Sequence, residues 1–360
     1  MKHRMLVAVV VALAIGGAAC GSSGKSAGGN STSTTSGKPA SDTVVLMTYD
    51  SYAASKDVLA LFTRQTGFKV KVLKAGDAGR LLSTAIQVKD HPVADALFGV
   101  DNTFLTRALD EKLFDPYRAK HLASVPKKYQ LDSEHRVTPI DAGEVCVNDD
   151  LAWFGHDGHP PAPTSLADLA KPEYKKLLVV ENPATSSPGL AFLLSTISAY
   201  GDGWQDYWKS LRSNGVRVVD GWDEAYQTDF TAGSASGDRP LVVSYATDPA
   251  ADVVFSDGKK TTPTVGVVKG TCFSQVEFAG VLRGAKNPQG AQALVDFMLS
   301  TKYQEGIPLQ MYVYPAVSGT KLPGVFTKFA TQPPAHSMDV SAIGDHRNEW
   351  INQWTQIVLQ

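Results

Sequence analysis

Residues 44–49 read VVLMTY, 55–65 SKDVLALFTRQ, 70–73 VKVL, 80–88 RLLSTAIQV and 94–100 ADALFGV, and the way these runs alternate decides the fold class. Short apolar runs rich in Val read as strands, while the stretches between them carry apolar residues three and four apart and read as helices. Strand and helix in regular succession predict an α/β fold, a mainly parallel sheet flanked by helices. The rhythm resumes beyond Gly143 with strands at 177–180, 216–219 and 241–245, a helix opened by Pro188 and closed near Gly201, and a helix from Trp222. Pro in the first helical turn and Gly just past the last are well-placed start and stop signals. Farther on, 274–282 reads as a strand, 288–299 as a helix and 349–358 as a terminal amphipathic helix. Residues 43–360 are more than one core comfortably holds, so two lobes are predicted, 43–140 plus 272–360 and 141–271. Ligands of such sheets bind beyond the carboxyl ends of the strands. The residues there are Tyr49, Asp50 and Ser51, Asp77 with Gly79, Asp101 and Asn102, Thr185 and Ser186, Trp222, and Tyr245.

Composition narrows the function. With 43% apolar residues the chain is not a disordered one, and 34 Lys plus Arg against 36 Asp plus Glu, net −2, provide no basic field for nucleic acid. Three cysteines leave one over if two pair. Lys2 and Arg4, the apolar run 5–15 and the small residues 16–19 before Cys20 have the layout of a bacterial secretion signal. The run is shorter than the roughly 20 residues a spanning helix needs. Its end resembles a lipobox, with Gly17 where Leu is usual, so residues 1–19 are read as a lipoprotein signal peptide and Cys20 as the lipidated residue. An ordinary signal peptide leaving a free Cys20 is the alternative. Residues 20–42, nearly all Gly, Ser, Thr, Ala and Lys, read as a flexible tether holding a folded module at the outer face of the cytoplasmic membrane. In an exported protein the remaining pair, Cys146 and Cys272, is expected to form a bridge near the crossovers between the lobes.

Motifs for catalysis do not assemble. The eight histidines are scattered, and none has metalloprotease or zinc-finger spacing. His156 and His159 flank a glycine in what reads as a solvated loop. Ala235 stands where a nucleophile elbow needs its serine, no dinucleotide fingerprint occurs, and Gly24-Lys25-Ser26 imitates a phosphate loop only within the tether. Neither a cofactor nor a metal is expected.

Several phrases, taken in order, point to a family: Thr48-Tyr49-Asp50-Ser51-Tyr52, Gly99-Val100-Asp101-Asn102, Thr185-Ser186-Ser187-Pro188-Gly189-Leu190, Gly221-Trp222-Asp223-Glu224-Ala225-Tyr226, Leu241-Val242-Val243-Ser244-Tyr245, Gln275-Val276-Glu277 and Tyr314-Pro315. From about residue 44 to 354 the chain resembles the periplasmic thiamine-binding proteins of ABC importers. The resemblance implies a two-lobed periplasmic-binding-protein-like fold of type II, with the ligand cleft between the lobes. It implies a monomer that closes on thiamine or a thiamine phosphate and delivers it to an ABC permease driven by a separate ATPase subunit, with no bond made or broken. Trp222, Tyr245 and Tyr312 match the family's aromatic walls and Tyr49 a contact beside the first strand, with Tyr226 in the most specific phrase. Asp50 would supply negative charge or hydrogen-bond the ligand, and Thr185 with Ser186 would receive the hydroxyl or phosphate arm at a helix N-terminus. Asp77 and Gly79 fall in the facing loop.

The chain departs from the family at Ala53-Ala54-Ser55-Lys56, where a Trp is usual, at Ala251 in place of a Tyr, and at Asp141-Ala142-Gly143-Glu144 in place of Asp-Tyr-Gly-Tyr. Glu144 reads either as a new carboxylate for the cation or as a solvated hinge residue. Two rivals stay open. One is a receptor for a phosphonate, a polyamine or ferric ion, although Val313 separates Tyr312 from Tyr314 where an iron receptor has adjacent tyrosines. The other is a thiaminase-like exported enzyme, which needs Cys146 or Cys272 as a free nucleophile.

Overall fold

The strands sort by their burial. Lys69–Lys74 (β2) alternates outward lysines with half-buried Val and Leu, as an edge strand does, whereas Ala96–Asp101 (β3) is buried at every position and must lie inside the sheet. Between them runs Thr43–Thr48 (β1), parallel to both. The computed structural model describes residues 41–360; the segments read from sequence as signal peptide and, up to residue 40, as tether, with Cys20, lie outside the described residues. The other strands are Phe114–Asp115 (β4), Thr138–Asp150 (β5), Leu178–Glu181 (β6), Arg217–Val219 (β7), Leu241–Tyr245 (β8), Val265–Leu282 (β9) and Tyr314–Pro315 (β10).

Their order across the sheet is β2-β1-β3-β9-β5-β8-β6-β7, with β4 on β9 and β10 on β5. At the two ends β1 with β2 and β3, and β6 with β7 and β8, pair in parallel. The centre is antiparallel: β3 with β9, β9 with β5, and β5 with β8. The fold is therefore mixed α/β and two-lobed, each lobe built on a parallel flank, and β5 and β9 run through both. Their register shifts twice, between Pro139 and Asp141 and again between Val145 and Val147. At the second shift Cys146 and Cys272 form a disulfide joining the two crossing strands, fully buried with Ala246. The expected bridge is thus found, joining the two strands at the centre of the sheet. The Val147 amide, displaced by the irregularity, donates to Thr271 Oγ1 at 2.9 Å.

Helices cover the flanks. Ser187–Tyr200 carries Pro188 in its first turn and stops at Gly201, whose φ of 52° suits glycine. Its first turn presses on the end of β6, where a Cβ on Gly189 would run into the Glu181 carbonyl. The C-terminal helix is longer than the sequence suggests: Val340–Val358 begins at Asp339, whose carboxylate accepts from the Ser341 amide. It packs on Leu105–Asp110 of one lobe, with Arg347 over the Phe104 ring, and on Trp204–Ser213 of the other, with Trp354 edge-on to Trp208 at 5.4 Å. Such an aromatic pair adds about 1 kcal/mol to the area it buries. Among the described residues no helix is long and apolar enough to cross a membrane.

Candidate functional site

Loops that leave the strands converge on one cavity of about 550 Å³, within the roughly 300–1,000 Å³ usual for small-molecule sites. From the first lobe Tyr49, Asp50, Ser51 and Tyr52 follow β1, and Asp77 caps the helix Ala78–Gln87. From the second come Trp222 and Tyr226 beyond β7, Tyr245 at the end of β8, and Asp248, Ala251 and Phe255 on the helix Asp248–Phe255. Glu277 rises from β9, and Met311 and Tyr312 close the other side.

Hydrogen bonds fix most of these groups. Asp77 accepts from the Ala78 amide at 2.7 Å and, across the cleft, from the Trp222 amide at 2.9 Å. The Trp222 indole donates to Ser244 Oγ at 2.8 Å and its ring stacks on Tyr226, centroids 5.0 Å apart and 18° from parallel. Tyr49 donates its hydroxyl proton to Glu277 at 2.9 Å. Tyr312 adopts a left-handed φ of 55°, unusual for an aromatic residue. It is held there by Thr247 Oγ1, which donates to its carbonyl, and by its own amide, which donates to Ile307 at 3.2 Å. Phe255, 59% exposed, leans on the Tyr312 ring with centroids 4.7 Å apart.

The wall carries five acids, Asp50, Asp77, Asp223, Asp248 and Glu277, against one cation, Lys74, which donates to the Asp50 carbonyl. Burial pushes the Asp77 carboxyl up and the Asp248 carboxyl up to about 7. Burial also raises Glu277, with the nearby Asp101 charge adding to it. Its strand neighbour Asp141 goes up through burial and the Glu277 charge. Seven aromatic rings, Tyr49, Tyr52, Trp222, Tyr226, Tyr245, Phe255 and Tyr312, face the same space. Negative charge and π faces together suit a flat organic cation.

Of the residues named from sequence, Tyr49, Asp50, Ser51, Asp77, Trp222, Tyr226, Tyr245 and Tyr312 line this cavity. Six do not. Asp101 is fully buried and accepts from Thr103 Oγ1, the Thr103 and Phe104 amides and Gln275. Asn102 ties down β9 through the Ser274 carbonyl and Val276 amide. Gly79 and Thr185 meet each other, amide to carbonyl at 2.8 Å, and Thr185 Oγ1 donates to the Asp220 carbonyl at 2.7 Å. Ser186 is buried beside the cavity with its hydroxyl unpartnered; the next two residues, Ser187 and Pro188, reach the lining. Glu144, half-buried, lies outside the lining, and burial raises its carboxyl to about 7.

Sequence reasoning missed Tyr52, Asp248, Phe255 and Glu277 as site residues. Tyr52 and Glu277 lay within quoted phrases, and a carboxylate inside an apolar strand is the signal that could have singled out Glu277. Ala251 and Ala53, the first residue of the other departing stretch, line the cavity, so space opens where Ala251 stands in place of a Tyr. Cys146 and Cys272 lie outside the lining and are paired with each other, which removes the nucleophile that the enzymatic rival requires.

Comparison with known proteins agrees with this architecture. Residues 91–336 match the family model for bacterial extracellular solute-binding proteins. The chain is 28% identical over 320 residues to the thiamine-binding periplasmic protein of Salmonella typhimurium, covering 88% of this chain and 93% of that one. It is 28% identical over 322 residues to the Brucella suis thiamine-binding periplasmic protein, covering 88% and 92%. The iron uptake protein A1 of Synechocystis is 25% identical over 291 residues, covering 75% of each. Among solved structures, a periplasmic thiamin binding protein superposes with a TM-score of 0.76 at 26% identity over 88% of this chain and 96% of that one. These relatives are named as binding and uptake proteins. The chain belongs to the bacterial extracellular solute-binding proteins.

Proposed function

We propose that this protein is the solute receptor of an ABC importer, anchored outside the cytoplasmic membrane through a lipid on Cys20, and that it captures thiamine or a thiamine phosphate. The observation that carries the reading is the wall chemistry: seven aromatic faces and five acids against one lysine in a single cavity. Thiamine's thiazolium would lie against Trp222, Tyr226 and Tyr245, with Asp77 and Glu277 supplying opposite charge. Its hydroxyethyl or phosphoryl arm would meet the first turn of the helix Ser187–Tyr200, where Ser187 lines the cavity and its Oγ has no protein partner.

We take residues 43–140 with 272–360 and residues 141–271 as the moving bodies, hinged where β5 and β9 change register. Contacts that cross the cleft between the loops of 43–140 and those of 141–271 include Asp77 with the Trp222 amide, the Gly79 amide with the Thr185 carbonyl, and Arg80 with Asp220. Release to a permease, powered by ATP hydrolysed on a separate subunit, would need these contacts to open. The relatedness to iron proteins keeps ferric ion as the second reading, although among the described residues no three His, Cys, Asp or Glu side chains converge as a metal site.

Calorimetry of the mature protein with thiamine, its phosphates, ferric ion, polyamines and phosphonates tests the assignment. One-to-one binding of a thiamine form is expected. Binding of another solute with silence from every thiamine form would overturn it.

A further inference from the structure

β5 and β9 set Asp141 directly across from Glu277, and residues so placed bring their Cβ atoms to about 5 Å. Glu277 reaches the cavity and accepts from the Tyr49 hydroxyl as its one hydrogen bond from the protein. Asp141 is 1% exposed, and neither of its carboxyl oxygens receives an N–H or O–H from the protein. Two residues before Glu277, on the same face of β9, Gln275 Oε1 is also buried without a partner. Acceptors are therefore in surplus at this end of the site. Of these acceptors Glu277 is the one that reaches the cavity, and a donor brought by a ligand would pair with it and relieve the surplus.

We propose that the Asp141–Glu277 pair is the floor of the ligand site, holding one proton between its two carboxyls in the free protein and giving it up when a flat organic cation presents its N–H edge there. This deepens the function proposed above and rests on it. Two carboxylates in contact away from water cannot both stay ionised, so one keeps its proton until a positive ligand takes over the neutralising role. The balance is simple: one carboxyl O–H bond breaks, the proton passes to solvent, and the carboxylate left behind accepts from the ligand.

The groups that face the pair are acids and phenols. Tyr49 approaches from the end of β1, Asp101 from β3, Asp77 from the head of its helix, Tyr245 from β8, and Tyr303 from the helix Thr301–Gln310. Lys74, the cation of the cavity wall, is turned to the Asp50 carbonyl. Burial favours the protonated form of both carboxyls, and the Glu277 charge adds to this at Asp141 and the Asp101 charge at Glu277, in line with the geometry.

Titrating unphosphorylated thiamine into the full mature protein, in two buffers of unlike ionisation heat near pH 7, counts the protons released. The wild type should release a sizeable fraction of one proton per thiamine, and its affinity should rise from pH 6 to pH 8. Asp141→Asn keeps the shape, leaves Glu277 without a carboxyl to share a proton with, and should cut the release and flatten the pH slope, any remainder coming from the buried Asp248 on the cavity wall. Equal release from the two proteins, or none from the wild type, overturns the proposal. If thiamine gives no heat, the functional reading fails by itself. The pair is then decided by the infrared difference between ligand-free wild type and Asp141→Asn, where a protonated-carboxyl band lost in the variant supports it and an unchanged spectrum overturns it.

Discussion

Asp101 and Glu277 are partners in the same antiparallel pairing of β3 with β9, both are carboxylates, and both are buried, yet their surroundings differ in kind. Asp101 collects four donors, two amides, a hydroxyl and a side-chain amide, and closes the turn that follows β3. Glu277 collects one, faces a cavity, and lies opposite an Asp141 that collects none. A saturated buried acid is part of the fold; an unsaturated one at the wall of a cavity is prepared for something that is not yet there.

Substitutions can break or sharpen this contrast. Asp101→Ala would strand the Thr103 and Phe104 amides and Gln275, so a loss of about 3 kcal/mol of stability is expected in urea unfolding, with thiamine affinity shifting by less than about threefold in the protein that remains folded. Glu277→Gln should do the reverse. It removes a buried ionisable group, so stability holds or rises, while thiamine binding weakens by about 2 kcal/mol, or roughly 30-fold, in calorimetry.

The pH response follows from the same groups. Burial raises Asp101 to about 6 and Asp248 to about 7, and it raises Asp141 and Glu277 as well. Acids with a folded-state pKa above the unfolded value stabilise the fold in their protonated form, and that contribution is lost as pH rises through the folded pKa. The Tm of the ligand-free protein should therefore increase when pH falls from about 8 to about 5. Saturating thiamine should shrink the increase by stabilising the ionised floor. A Tm that instead rises with pH over this window would show that the buried acids are ionised.

The smallest effect concerns the rim. Phe255→Ala should weaken thiamine binding about fivefold, or about 1 kcal/mol, through loss of one aromatic face. Because Phe255 is 59% exposed, stability should move by less than about 0.5 kcal/mol.

How much of this was legible depended on where each residue sits. The parallel flanks were plain because β1, β3, β6 and β8 are short apolar runs. Trp222, Tyr245 and Asp77 could be read because each stands just beyond a strand or at a helix head. β5 was not read as a strand, since Asp141, Glu144, Asn148, Asp149 and Asp150 fill a segment whose burial comes from neighbours on both sides. β9 was read only from 274 onward because Lys269-Gly270-Thr271 interrupts its apolar pattern. Glu277 and Asp141 were hidden inside those two strands. The helix expected from Trp222 proves to be a single turn, Trp222–Glu224, widening into the π-helical turn Ala225–Asp229, and a loop then folds back tightly enough that Gly233 has no room for a Cβ beside the Tyr226 carbonyl. Phe255 was missed because its helix, Asp248–Phe255, begins with an Asp-Pro step that reads as a turn.

The central claim is that the aromatic and acidic cavity takes thiamine, and calorimetry of wild type beside Trp222→Ala tests it most directly. Trp222 is the ring stacked on Tyr226 and held by Ser244 and Asp77. The wild type should bind one thiamine, and the folded Trp222→Ala protein should bind it roughly 100-fold more weakly, the loss of about 2.7 kcal/mol typical of a central aromatic anchor. Equal thiamine affinity in the two proteins, or no thiamine binding by either, would contradict it.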